Sequence, residues 1–151
     1  MECHRICRRA HRPLDGEGAR LYGGRWNSPG HAVVYASGSL ALAALEFLVH
    51  LDSSEAPHDL LAMRINIPDD LTVSDVKLRA LPARWDRYPA VDACRKLGDA
   101  WLLAGKTAVL KVPSAPVHEE WNVLLNPRHP EFHRIREAGS RRFRFDQRLV
   151  R

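Results

Sequence analysis

The stretch Gly23-Gly24-Arg25-Trp26-Asn27-Ser28-Pro29-Gly30 sets one guanidinium and one indole between two clusters of turn formers. Glycine supplies positive φ and close backbone approach, and Pro29 presets a turn. Such a loop brings backbone N–H groups and Arg25 up to a phosphate-bearing ligand, and a planar guanidinium fork suits phosphate oxygens. A hairpin loop with a partly buried Trp26 fits the same residues, so the rest of the chain has to decide. Glu46 is the second candidate. Its neighbours Leu40 to Leu45 and Phe47 to Val49 are apolar throughout, which implies burial, and an unpaired buried carboxylate is costly. Glu46 therefore needs a cation, donors or a ligand. His50, four residues on, is one candidate neighbour, and an ion pair with a loop arginine is the purely structural alternative. Tyr35 stands in an aliphatic stretch, where its ring serves either core packing or stacking on a flat ligand. Ser114 follows Val112-Pro113 with no Gly-x-Ser-x-Gly elbow around it, which argues against nucleophilic hydrolase chemistry.

Other patterns are set aside. Neither a Gly-x-Gly-x-x-Gly nor a Walker loop is present, which disfavours ordinary dinucleotide folds and phosphate-loop ATPases. In His129-Pro130-Glu131-Phe132-His133 the Glu is one place off a zinc helix, and Pro127 and Pro130 oppose a regular helix there, so a loop is expected. Cys3 and Cys7 flank His4 without a second ligand pair at zinc spacing, so free thiols and no metal are expected.

The elements that must hold these residues alternate between strand and helix patterns. Residues 32–37 read as a short buried strand after a turn. Ser39 fits an N-cap for a helix over 40–51 that carries Glu46. Residues 60–67 read as a strand stopped by Pro68-Asp69-Asp70. Pro89 opens a helix to about residue 104, with Val91, Cys94, Leu97, Trp101 and Leu102 on one face and Gly105 closing it. Residues 108–112 and 120–125 are further strands, and 141–145 alternates basic and aromatic residues like an edge strand or a flexible arm. The connections are too irregular for a doubly wound sheet, so an α+β fold is expected.

With 151 residues, 45% of them hydrophobic, one domain spanning 1–151 with a real core is expected. No apolar run suffices to span a bilayer and the N-terminus has no apolar signal core, which with three cysteines predicts a cytoplasmic protein without a membrane partner. The net charge of +5 is carried almost wholly by arginine, gathered at residues 5–12 and 134–151. Nucleic acid, an acidic protein, an anionic small ligand or plain solvation would each account for it.

Taken in order, the segments Gly16-Glu17-Gly18-Ala19-Arg20-Leu21-Tyr22-Gly23-Gly24-Arg25-Trp26-Asn27, Val34-Tyr35-Ala36-Ser37, Leu42-Ala43-Ala44-Leu45-Glu46, Leu97-Gly98-Asp99-Ala100-Trp101, Val112-Pro113-Ser114-Ala115 and Asn122-Val123-Leu124-Leu125-Asn126-Pro127 carry a likeness. The chain resembles the RES domain family, toxins of bacterial toxin–antitoxin pairs named for an arginine, a glutamate and a serine. The likeness runs from about Arg5 to about Leu149 and puts that triad on Arg25, Glu46 and Ser114. It implies a compact split β core with flanking helices, similar to ADP-ribosyltransferases. It also implies NAD as substrate, with cleavage of the nicotinamide–ribose bond and transfer of ADP-ribose to phosphate, water or a protein. In that reading Glu46 stabilises the charged ribose, Arg25 binds a phosphate, Tyr35 stacks on the nicotinamide or ribose, and Ser114 orients Glu46 or a ribose hydroxyl. Arg5 adds a phosphate contact, and His50 and Asn122 shape the pocket. The implied partner is an antitoxin with a helix-turn-helix domain, through which alone DNA is contacted. His118 and Trp121 depart from the family, where a proline and a basic residue are common. Two other readings stand beside it: a nucleic-acid-directed toxin, motivated by the basic ends with Phe143 and Phe145, and a docking module without catalysis.

Overall fold

The computed structural model describes residues 1–51 and 56–150. Among the described residues there are seven strands, β1 (Glu2–Arg8), β2 (Val34–Ser37), β3 (Leu60–Asn66), β4 (Val73–Asp75), β5 (Val109–Pro113), β6 (Trp121–Leu125) and β7 (Arg136–Arg142). The same residues form three α-helices, α1 (Glu17–Tyr22), α2 (Leu40–Leu48) and α3 (Asp92–Ala104). The strands make one mixed sheet in the order β4-β5-β6-β2-β1-β3-β7, antiparallel except for β4 against β5. This is an α+β fold, as expected.

The sheet is split down its middle. β2 pairs along its whole length with β6, and β1 pairs along its whole length with β3. Between β1 and β2 the only register pair is His4 with Ser37. Two well-laddered halves thus meet at one point, and the side chains around Ser37 sit on that seam.

Strand alternation sorts the core. Cys3, Val34, Ala36, Ile65, Val109, Val123 and Leu125 pack together on one face. On the other, Leu110, Val112 and Leu124 pack beneath Cys94 and Trp101 of α3, with Trp26 and Trp85. Ile6, Leu60 and Ala62 pack beneath Ala43 of α2 on that same face, with Phe47, Phe143 and Phe145. Helices α2 and α3 therefore cover the two halves of one face and leave the seam between them.

Several elements differ from their sequence-based bounds. β1 is unanticipated; the basic residues that break up Glu2–Arg8 hide the alternation that buries Cys3 and Cys7. α2 stops at Leu48 rather than reaching residue 51, with Val49 as C-cap. α3 starts at Asp92 with Val91 as its N-cap, so Pro89 lies outside the helix. The tail is an edge strand, but over Arg136–Arg142; Phe143 and Phe145 beyond it meet edge to face, their centroids 5.0 Å apart. Pro130–Arg134 forms a short 3-10 turn instead of an irregular loop.

Candidate active site

Ser39 starts the site. Its hydroxyl accepts the Leu42 N–H at 3.1 Å and caps α2, which then runs back over the seam with Glu46 in its last turn. Ser37, just before the cap, faces Asn122 in the β2–β6 register and donates to Asn122 Oδ1 at 2.7 Å. That bond fixes the amide with its nitrogen outward, and Asn122 Nδ2 donates to Glu46 Oε1 at 2.5 Å. Ser114, fully buried at the end of β5, donates its hydroxyl to the same oxygen at 2.9 Å. The Val117 N–H occupies a lone pair of Ser114 Oγ at 3.3 Å, so its single hydrogen is left for Glu46.

Glu46 is half-buried rather than enclosed as expected, because α2 ends one turn past the seam. Neutral donors hold it, and among the described residues no ion pair involves it, so the structural pairing with an arginine does not form. Both donors use Oε1. Among the described residues Oε2 has no hydrogen-bond partner. A carboxylate oriented through one oxygen presents the other to whatever lies beside it, an arrangement fitted to stabilising positive charge.

Arg25 belongs to a second cluster on the α3 side. Its loop closes through Gly24 N to Asn27 O at 2.9 Å. Asn27 is fully buried and donates to the carbonyls of Ala19 (2.8 Å) and His31 (3.1 Å). Tyr35 Oη donates to Asn27 Oδ1 at 2.8 Å and accepts the Trp26 N–H at 3.0 Å. The Tyr35 phenol is thus locked to the loop, and burial pushes its pKa up. Gly24 lies so close over this ring that a Cβ there would stand 2.7 Å from the hydroxyl. Asp99 of α3 then accepts from Ser28 N at 2.9 Å and Ser28 Oγ at 2.6 Å, tying the loop to the helix. From this frame Arg25 Nη1 donates to the carbonyls of Trp85 (2.8 Å) and Arg87 (3.0 Å). Among the described residues its Nε and Nη2 hydrogens have no partner, which leaves one edge of the fork for an anion.

The structure brings Glu46, Ser114 and Asn122 into direct contact and sets Arg25 and Tyr35 together at the neighbouring loop. Two further residues lie elsewhere. His50 is outside α2, exposed, with Nδ1 2.8 Å from the Glu46 backbone carbonyl; the early helix end removes it from the carboxylate's face. Arg5 alternates with His4 in β1 and so points, with Cys3 and Cys7, to the face opposite α2, where it donates to Pro13 O at 3.4 Å. Ser37, Asn27 and Asp99 escaped the sequence reading as site residues. All three are polar residues inside the motif segments, which is the signal that was available.

The RES domain family model matches residues 2–146. The chain is 41% identical over 140 residues to a protein of Sphingobium sp. named Prs ADP-ribosylating toxin, covering 91% of this chain and 87% of that one. It is 38% identical over 135 residues to Toxin Res of Yersinia enterocolitica, covering 89% and 88% respectively. Among solved structures, the crystal structure of the M. tuberculosis MbcT-MbcA toxin-antitoxin complex matches with a TM-score of 0.78 at 20% identity, over 94% of this chain and 83% of that one. That match shares the fold, and the sequence matches share the family: the chain belongs to the RES domain family.

Proposed function

We propose that this protein is the toxin of a toxin–antitoxin pair and that it cleaves the nicotinamide–ribose bond of NAD. The observation that carries this reading is the Glu46 carboxylate, held through Oε1 by Ser114 and Asn122 with Oε2 left unpartnered among the described residues. When the C1′–N bond breaks, its electron pair leaves with nicotinamide and positive charge develops on the ribose ring. A fixed carboxylate beside that ring stabilises the charge without reorganising. Arg25 takes a phosphate of the substrate on the free edge of its guanidinium. Ser114 and Asn122 hold Glu46 in its rotamer. Tyr35 locks, through its hydroxyl, the loop that presents Arg25, and its ring is the group that would stack on the nicotinamide or ribose. An oxygen of the acceptor then bonds to C1′, and its proton passes to solvent.

The acceptor divides this reading in two. Transfer to phosphate or water depletes NAD outright, whereas the name of the Sphingobium relative favours ADP-ribosylation of a protein of the Prs kind. Expression in bacterial cells tests both: wild-type protein arrests growth and Glu46→Gln, at equal abundance, does not. Falling NAD in the arrested cells assigns the first branch, and an ADP-ribose adduct on Prs assigns the second. Equal arrest by both proteins would refute the role of Glu46.

The partner is an antitoxin with a helix-turn-helix domain, in the cytoplasm, and DNA is contacted through it. The nucleic-acid reading loses its aromatic support. Phe143 and Phe145 are packed against each other and against Phe47, while Arg8, Arg12, Arg134 and Arg148 are paired with Asp59, Glu137, Asp70 and Asp146. The rings are committed to the fold, whereas the arginine pairs lie at the surface.

A further inference from the structure

We propose that His118 and Asp86 form a clasp holding the carbonyl cradle of Arg25 against the turn that carries Ser114, and so fix the two clusters of the site relative to one another. Asp86 lies between Trp85 and Arg87, the two residues whose carbonyls accept from Arg25 Nη1. His118 Nε2 stands 3.1 Å from Asp86 Oδ2. The His118 ring also packs on the Trp85 indole, centroids 5.3 Å apart and tilted by 43°. At its other end His118 follows Val117, whose N–H is bonded to Ser114 Oγ, and Ser114 in turn holds Glu46. An unbroken path therefore runs from Arg25 through the carbonyls of 85 and 87, Asp86, His118, Val117 and Ser114 to Glu46.

The segment around Asp86 is held at its ends by the packing of Leu81 and Val91 and is irregular between them. Residues 81–91 form neither helix nor strand; Trp85 N to Pro82 O and Arg87 N to Arg84 O are single-turn bonds, and Arg84 has φ of 63°. Trp85 anchors one point by packing on Trp26, centroids 6.1 Å apart. Arg25 bonds the same stretch through one nitrogen, so without a second fixed point segment and guanidinium move together about that indole. The clasp supplies the second point. Both partners are near the surface, with His118 43% and Asp86 38% exposed, so the pair adds little to global stability. Its effect is on position: a carbonyl cradle that swings carries the guanidinium with it.

The consequence for activity rests on the NAD reading above, with His118 as a positioning residue. His118→Ala raises KM for NAD about tenfold and changes kcat less than about threefold, because the phosphate anchor is displaced while Glu46 keeps its donors. Asp86→Ala reproduces this, and the double variant is no worse than either single one. His118→Gln, with a donor at about the place of Nε2, restores the wild-type KM. A readout independent of NAD is hydrogen exchange in the free protein. Amides of residues 82–91 exchange about tenfold faster in His118→Ala and at the wild-type rate in His118→Gln. Unchanged exchange in His118→Ala, or additive effects in the double variant, overturns the clasp. If wild-type protein releases no nicotinamide while exchange at 82–91 still depends on His118, the NAD reading fails and the clasp stands.

Discussion

Gly98 is where one methyl group should undo the most. A Cβ built on it would lie 1.7 Å from the Trp26 carbonyl oxygen and 2.7 Å from its carbon, where contacts under 3.0 Å are essentially never seen. Both groups in the clash are backbone, so neither yields by a rotamer change. The 24–30 loop must retreat from α3 by more than an ångström. Ser28 N and Oγ then lose Asp99, and charge-assisted bonds of that kind contribute roughly 1.5–3 kcal/mol each. Overpacking adds a cost of about 1–3 kcal/mol. Against this stands a gain of about 1 kcal/mol in helix propensity for Gly→Ala. With partial relaxation, Gly98→Ala is expected to destabilise by about 2–4 kcal/mol. At about 2–4 °C per kcal/mol for a chain of this size, the thermal midpoint falls by roughly 5–15 °C. Gly18→Ala is the matched control. It sits on exposed α1 with nothing within 4 Å of the added carbon, so the same chemical change should raise the midpoint by about 2–4 °C. Differential scanning fluorimetry on the two variants decides the matter. A Gly98→Ala midpoint at or above wild type would refute the close approach of loop and helix, and with it the frame that holds Arg25.

Three further outcomes follow from the same geometry. Ser114→Ala removes one donor from Glu46 and strands the Val117 N–H, so nicotinamide release should fall by about 10- to 100-fold at a stability cost near 1–2 kcal/mol; unaltered turnover would remove Ser114 from the site. Asn122→Asp replaces a donor by a second carboxylate against Glu46 and Ser37, and should abolish release while the far-ultraviolet spectrum stays native; an active Asn122→Asp enzyme would contradict the orientation argument. Burial, then the Glu2 charge, push the Cys3 thiol from its ordinary 9.0 to about 12, and burial pushes Cys7 and Cys94 up as well. Above pH 9 the unfolded thiols lose protons that the folded ones keep. Stability should therefore be level below pH 9 and fall toward pH 12, by up to about 1.4 kcal/mol per pH unit for Cys3, with Cys7 and Cys94 adding in the same direction. Urea midpoints at pH 8 and pH 10.5 test this, and Cys3→Ala should show the shallower fall.

What the sequence makes legible is local. Ser39 before an apolar run marks the start of α2, and the lone carboxylate in that run marks Glu46 as needing partners. Which partners it finds is not local. Ser114 and Asn122 lie 68 and 76 residues away in the chain and reach Glu46 only because β5 and β6 form a hairpin beside β2. The triad positions came from the ordered motifs of a family resemblance, not from spacing. His50 shows the limit of helical periodicity: four residues from Glu46 it shares a face only while the helix lasts, and α2 ends at Leu48. Arg5 shows the same limit for strands, since its face follows from the register of β1, an element whose mixed polarity concealed it. The single β1–β2 bridge that splits the sheet has no sequence signature at all, yet it sets the seam on which Ser37 and its partner Asn122 meet Glu46.

The central claim is that Glu46, oriented by Ser114 and Asn122, stabilises the ribose cation as nicotinamide leaves. Its most direct test is nicotinamide release from NAD by purified, antitoxin-free protein, with and without phosphate, beside Glu46→Gln. The account predicts release by the wild type and a fall of at least about 10²-fold in the variant, with both proteins equally folded. Acceleration by phosphate would identify phosphorolysis, and equal rates hydrolysis. Release that persists in Glu46→Gln at the wild-type rate would contradict the account.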